Sequence, residues 1–77
     1  MTLTEMRSVL ITEYAHLNRL KTELEMAKEL IPECDISKEE TEDADYCSKD
    51  LGYAVAELGL ALTDLKNAIE DLKNVRV

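Results

Sequence analysis

The chain has 77 residues with two Gly, one Pro and two Cys, and its 17 acidic residues against nine Lys and Arg give a formal charge of −8. A chain this short supports one domain (1–77) with a thin core, since it hides only about 60% of its unfolded surface. The charge argues against direct contact with nucleic acid or an anionic membrane, both of which need Lys and Arg, and the shortage of turn formers argues against β and βαβ folds.

The first predicted element has a marked start. Thr2 is followed three residues later by Glu5, the pattern of a capping box, and Met1 and Met6 hold the flanking positions of a hydrophobic staple. Leu3, Leu10, Leu17, Leu24 and Ile31 then recur every seven residues, with Met6, Glu13, Leu20 and Ala27 three residues behind them. This is an a/d heptad seam interrupted only by Glu13. Pro32 closes it, because the residue before a proline is pushed out of the α region. The expected helix spans 3–31.

After the connection Pro-Glu-Cys-Asp-Ile, Ser37 and Glu40 form a second capping-box pattern, so a helix is expected from Lys38. Leu51, Leu58, Leu65 and Leu72 sit at a, and Ala54, Ala61, Ala68 and Val75 at d. Val55, Leu62 and Ile69 widen the stripe, as in a bundle helix. Lys73 and Arg76 complement the dipole at the far end. The expectation is one helix over 38–76, with 47–52 as the place where it can kink; a break into two helices there is the alternative, since Ser48 can cap and Gly52 lowers the propensity.

Two such stripes joined by a short connection predict an all-α fold, an antiparallel helical hairpin of coiled-coil type. The second helix is the longer one. Pairing Ile31 with its start places Ala68, Ile69, Leu72, Val75 and Val77 beyond the end of the first helix. Tyr53, Ala56 and Leu60 occupy a further face, and Gly52, Ala56 and Gly59 form a line where another backbone can approach. The expected apolar interface is therefore Tyr53, Ala56, Leu60, Ala68, Ile69, Leu72 and Val75. A second copy is the expected occupant, giving a four-helix bundle homodimer or a higher homo-oligomer; a different protein is the alternative.

Residues 33–50 hold eight acidic residues against Lys38 and Lys49, leaving the remainder of the chain close to neutral. Glu39, Glu40, Glu42, Asp43 and Asp45 at the start of the second helix favour the positive end of its dipole. The same carboxylates can serve as a docking surface for a basic protein. Asp43 and Asp45 begin an EF-hand spacing, but Cys47 and Ser48 stand where further ligand and Gly positions belong.

No constellation for chemistry emerges. His16 is the only His, close to Glu13 but remote from Cys34 and Cys47, and a narrow hairpin offers no concave pocket. No cofactor, metal or catalytic residue is expected. No apolar run is long enough to span a membrane, and Glu5 breaks the charge pattern of a secretory signal, so a cytoplasmic setting is expected. There Cys34 and Cys47 stay free thiols, Cys47 as a small buried apolar residue, with a bridge between them as the alternative. The expected function is a self-associating, non-enzymatic interaction module, an adaptor or assembly factor. The alternatives are a small acidic inhibitor that imitates nucleic acid, of the phage type, docking through 33–50, and a secretion or assembly chaperone for a helical client.

Overall fold

A computed structural model describes residues 1–73. Helix α1 runs Leu3–Leu30, a 3-10 turn covers Ile31–Glu33, and helix α2 runs Thr41–Asp71. The two helices lie antiparallel as a hairpin, and there is no strand among the described residues.

The start of α1 forms as its sequence dictates. The Glu5 N–H donates to Thr2 Oγ1 and the Thr2 N–H donates to Glu5 Oε1, both at 3.1 Å. This satisfies two of the amides that a helix start leaves without partners. The staple does not close, since Met1 remains 83% exposed. On the exposed surface Arg19 pairs with Glu23, and at the edge of the helix contact Lys21 pairs with Glu25, both at 3.2 Å and each with the base on the N-terminal side, the weaker orientation for a helix pair.

Pro32 acts differently from the expectation. Ile31 keeps helical angles, φ −56° and ψ −46°, and its N–H reaches Ala27 O. The proline sits in the first positions of the 3-10 turn, where a missing N–H costs nothing. The chain leaves helical geometry only at Cys34, whose N–H donates to Ile31 O at 3.1 Å.

The second capping box does not form, and α2 begins at Thr41 rather than Lys38. Glu40 takes the capping position with a helical backbone and no side-chain cap. The Ser37 carbonyl, not its hydroxyl, accepts the Glu40 N–H at 3.1 Å and the Thr41 hydroxyl at 3.2 Å. That tight turn uses residues 38–40 as a run-up to the helix. From Thr41 the helix is continuous through 47–52, so one helix rather than two is present. It stops at Asp71, short of 76. Leu72 and Lys73 bond three residues back, to Ile69 O and Glu70 O. The last turn holds Glu70 and Asp71 and no basic residue, so its charges oppose the dipole. Val75, Arg76 and Val77 lie outside the described residues.

The pairing register also departs from the expectation. Ile69 does not run past α1. It is only 9% exposed, and the Arg7 Nε–H donates to its carbonyl at 3.4 Å. The later start of α2 shifts the helices so that the N-terminal turns of α1 cover it. Leu62, 6% exposed, is the other buried residue among the described residues. The rod measures 62 × 16 × 16 Å with a radius of gyration of 17.7 Å, where a compact chain of this length has about 11.5 Å.

Candidate interaction surface

Which columns of each helix meet is fixed by two contacts. A Cβ built on Gly52 lies 3.4 Å from Lys28 Nζ, and one built on Gly59 lies 3.6 Å from Lys21 Cε. The contacts recur one heptad apart on both helices, so they mark one edge of the seam. The α1 column on that edge is Arg7, Tyr14, Lys21 and Lys28, and the α2 column is Gly52, Gly59 and Lys66. Arg7, Tyr14 and Lys66 accordingly line one shallow groove with Ile69. The space over the glycines is filled by lysine side chains of the same chain, not by a partner backbone.

The centre of the seam on α2 is the column of Ser48, Val55, Leu62 and Ile69, the last three of which widen the apolar stripe in the sequence. Leu10, Leu17 and Leu24 of α1 and Leu51, Leu58, Leu65 and Leu72 of α2 reach it from the other edge and stay half-buried. One column further out, helix geometry turns Met6, Glu13, Leu20 and Ala27 of α1 and Cys47, Ala54, Ala61 and Ala68 of α2 toward the same side of the hairpin. Leu20 is 43% exposed, Ala61 is exposed, and Ala54 and Ala68 are half-buried. The a columns of both helices therefore close one edge of the helix contact, and the d columns beside them open onto one face. The expected a/d contact is displaced: the a leucines join the two helices of one chain, and the d positions do not lie between them.

The expected apolar interface residues separate into groups. Tyr53, Ala56 and Leu60 lie on the glycine side, opposite the leucine–alanine face; all three are exposed, Leu60 at 70%. Ala68 and Leu72 belong to the leucine–alanine face. Ile69 is taken by the seam itself, and Val75 lies outside the described residues. Leu20, Ala54 and Ala61 were not singled out as interface positions. The signal for them is the heptad on each helix.

The chain exposes 6178 Å². A globular monomer of 8.7 kDa exposes about 4,700 Å², so the hairpin carries an excess of about 1,400 Å². Each partner in a standard protein interface loses about 800 Å².

Glu39, Glu40, Glu42, Asp43 and Asp45 are all exposed and gather at the bend end of the rod. Glu42 and Asp43 stand in the first turn of α2, and Glu42 Oε1 accepts the Tyr46 hydroxyl at 3.3 Å. Among the described residues no three His, Cys, Asp or Glu side chains converge as a metal site would require. His16 Nδ1 lies 3.8 Å from Glu13 Oε1 on the surface. Cys34 and Cys47 are free and exposed, which corrects the reading of Cys47 as buried. Both line a groove at the bend with Ile31, Ile36 and Ala44. No described helix is long and apolar enough to cross a membrane.

Compared with protein-family models, curated proteins and solved structures, the chain matches none.

Proposed function

We propose that the chain is a non-enzymatic protein–protein interaction module, an adaptor or assembly factor, which self-associates through its open leucine–alanine face. The observation that carries this reading is that both heptads turn to the same side of the hairpin, where Leu20 and Ala61 are exposed and the Leu51–Leu72 column is half-covered. An a/d stripe this regular stabilises a chain only when other helices cover it.

The test is the solution mass of Leu20→Glu/Ala61→Glu beside Leu60→Glu. A carboxylate placed on the covered face must be desolvated, and one at Leu60 stays in water. The double variant becomes monomeric at concentrations where the parent and Leu60→Glu are oligomeric. Equal masses for all three remove the reading. Truncation is the poorer test, because cutting after Asn67 also removes Ile69 from the seam.

A second reading is favoured by one specific observation, the crowding of exposed carboxylates at one pole. In it the 33–50 segment docks on a basic protein, as an inhibitor that imitates nucleic acid. Binding of such a partner weakens steeply with salt and is lost on charge reversal at Glu39, Glu40, Glu42 and Asp43 with the fold retained. Insensitivity to both removes it. A foreign helix seated in the leucine–alanine face, the chaperone reading, shows itself in the first test as a hairpin that remains monomeric until a client is added.

A further inference from the structure

We infer that the occupant of the leucine–alanine face is a second copy of this chain lying antiparallel to the first, with the two bends at opposite poles of a four-helix bundle. The inference rests on the self-association reading above and adds the orientation.

Three observations carry it. The excess exposed surface, about 1,400 Å² per hairpin against an expected monomer, exceeds the ~800 Å² that each partner in a standard interface buries. A two-fold interface must be complementary to itself, and this face is: leucines run down both of its inner columns, while Ala54, Ala61 and Ala68 leave room beside them. A second hairpin also brings two helices of the right length, covering the apolar face along the 62 Å rod.

Charge then selects the orientation. The apolar columns permit two arrangements in which every neighbouring pair of helices is antiparallel, one with the bends together and one with them apart. Residues 33–50 carry eight acidic residues against two lysines. With the bends together these clusters face each other across neighbouring helices, whose axes lie about 8–10 Å apart, within about one Debye length at physiological salt. With the bends apart, each acidic pole lies beside the other chain's open end. There Arg7, Lys66 and Lys73 offset three of the four carboxylates Glu5, Asp64, Glu70 and Asp71. The clusters are then several Debye lengths apart.

The experiment places a nitroxide on Cys34, which is exposed in the bend, in a chain carrying Cys47→Ala. That substitution keeps the small-residue column intact. Pulsed dipolar spectroscopy on the full chain should give a Cys34–Cys34 separation of about 50 Å, counting 1.5 Å per residue outward from the middle of α1 on both copies. A separation of about 20 Å or less, from helices one bundle width apart, overturns the orientation and leaves self-association standing. Sedimentation of the same sample as a single 8.7 kDa species overturns the self-association reading itself. A second readout needs no label. Between 50 mM and 500 mM salt the dimer dissociation constant should change less than about threefold, because the acidic poles are screened from each other already. Tightening of tenfold or more with salt indicates bends held together and overturns the proposal.

Discussion

Lys21 lies across Gly59, its Cε 3.6 Å from where a Cβ would stand on that glycine. One heptad away Lys28 lies across Gly52 in the same way. Lys21 lays its aliphatic stem over Gly59, and Lys28 brings the end of its side chain, Cε and Nζ, over Gly52. An added methyl meets the flexible end of a lysine, not backbone. Gly59→Ala and Gly52→Ala should therefore each stabilise the hairpin by about 0.5–1 kcal/mol, the helix-interior cost of glycine relative to alanine. Thermal unfolding followed by circular dichroism should show a midpoint raised by about 4–8 °C per kcal/mol. A lowered midpoint would mean that the helices approach too closely at the glycines for the lysines to move aside.

Leu62 and Leu60 are two residues apart and face opposite environments, 6% and 70% exposed. Leu62→Ala removes one of the two side chains buried among the described residues and should cost about 2–4 kcal/mol, enough to unfold a chain with so thin a core. Leu60→Ala should change stability by no more than about 0.5 kcal/mol. Denaturant titrations of the two variants read the difference directly. Similar losses in both would place Leu60 in contact with something and return the glycine side to consideration as an interface.

The hairpin was legible in the sequence because Leu3 through Ile31 and Leu51 through Leu72 keep their period over several turns, and a long apolar period overrides local ambiguity. The N-terminus of α1 was legible for a local reason, since Thr2 and Glu5 satisfy each other's backbone without help. Ser37 and Glu40 present the same letters, yet the Ser37 carbonyl captures the Glu40 amide first and closes a turn. The period also left open which flank of the heptad meets the other helix. Lys21, Lys28 and Arg7 fall outside the apolar period, yet they and the small or polar column opposite them form the intramolecular edge. The a/d columns on both helices were legible as a seam, though the side of it that the hairpin leaves open was not.

Glu42 and Asp43 occupy the first turn of α2, where the N–H groups of the helix start lack a side-chain cap. Their carboxylates take over part of that role by complementing the dipole. Glu42→Lys/Asp43→Lys should lower stability by about 0.3–1 kcal/mol per residue at low ionic strength, and the loss should shrink as salt screens these exposed charges. Melting curves at 20 mM and 500 mM salt check this. A loss independent of salt would point to a packing role for these side chains instead.

Cys34 and Cys47 line the same groove at the bend and are both exposed in the single hairpin, but they stand differently toward a partner. Cys34 belongs to the connection between the helices. Cys47 begins the column that continues through Ala54, Ala61 and Ala68, so a second copy seated on that face covers it. In concentrated protein a thiol reagent such as DTNB should modify Cys34 at once and Cys47 in a slower phase, since a buried thiol reacts only when the interface opens. Diluting the protein below its dimer dissociation constant should merge the two phases. The Leu20→Glu/Ala61→Glu variant should show one fast phase at every concentration, with two thiols released. Two fast thiols in concentrated parent protein would mean that the cover stops short of the first turns of α2. A slow phase that persists on dilution would place the protection within the hairpin itself, which the exposure of both thiols argues against.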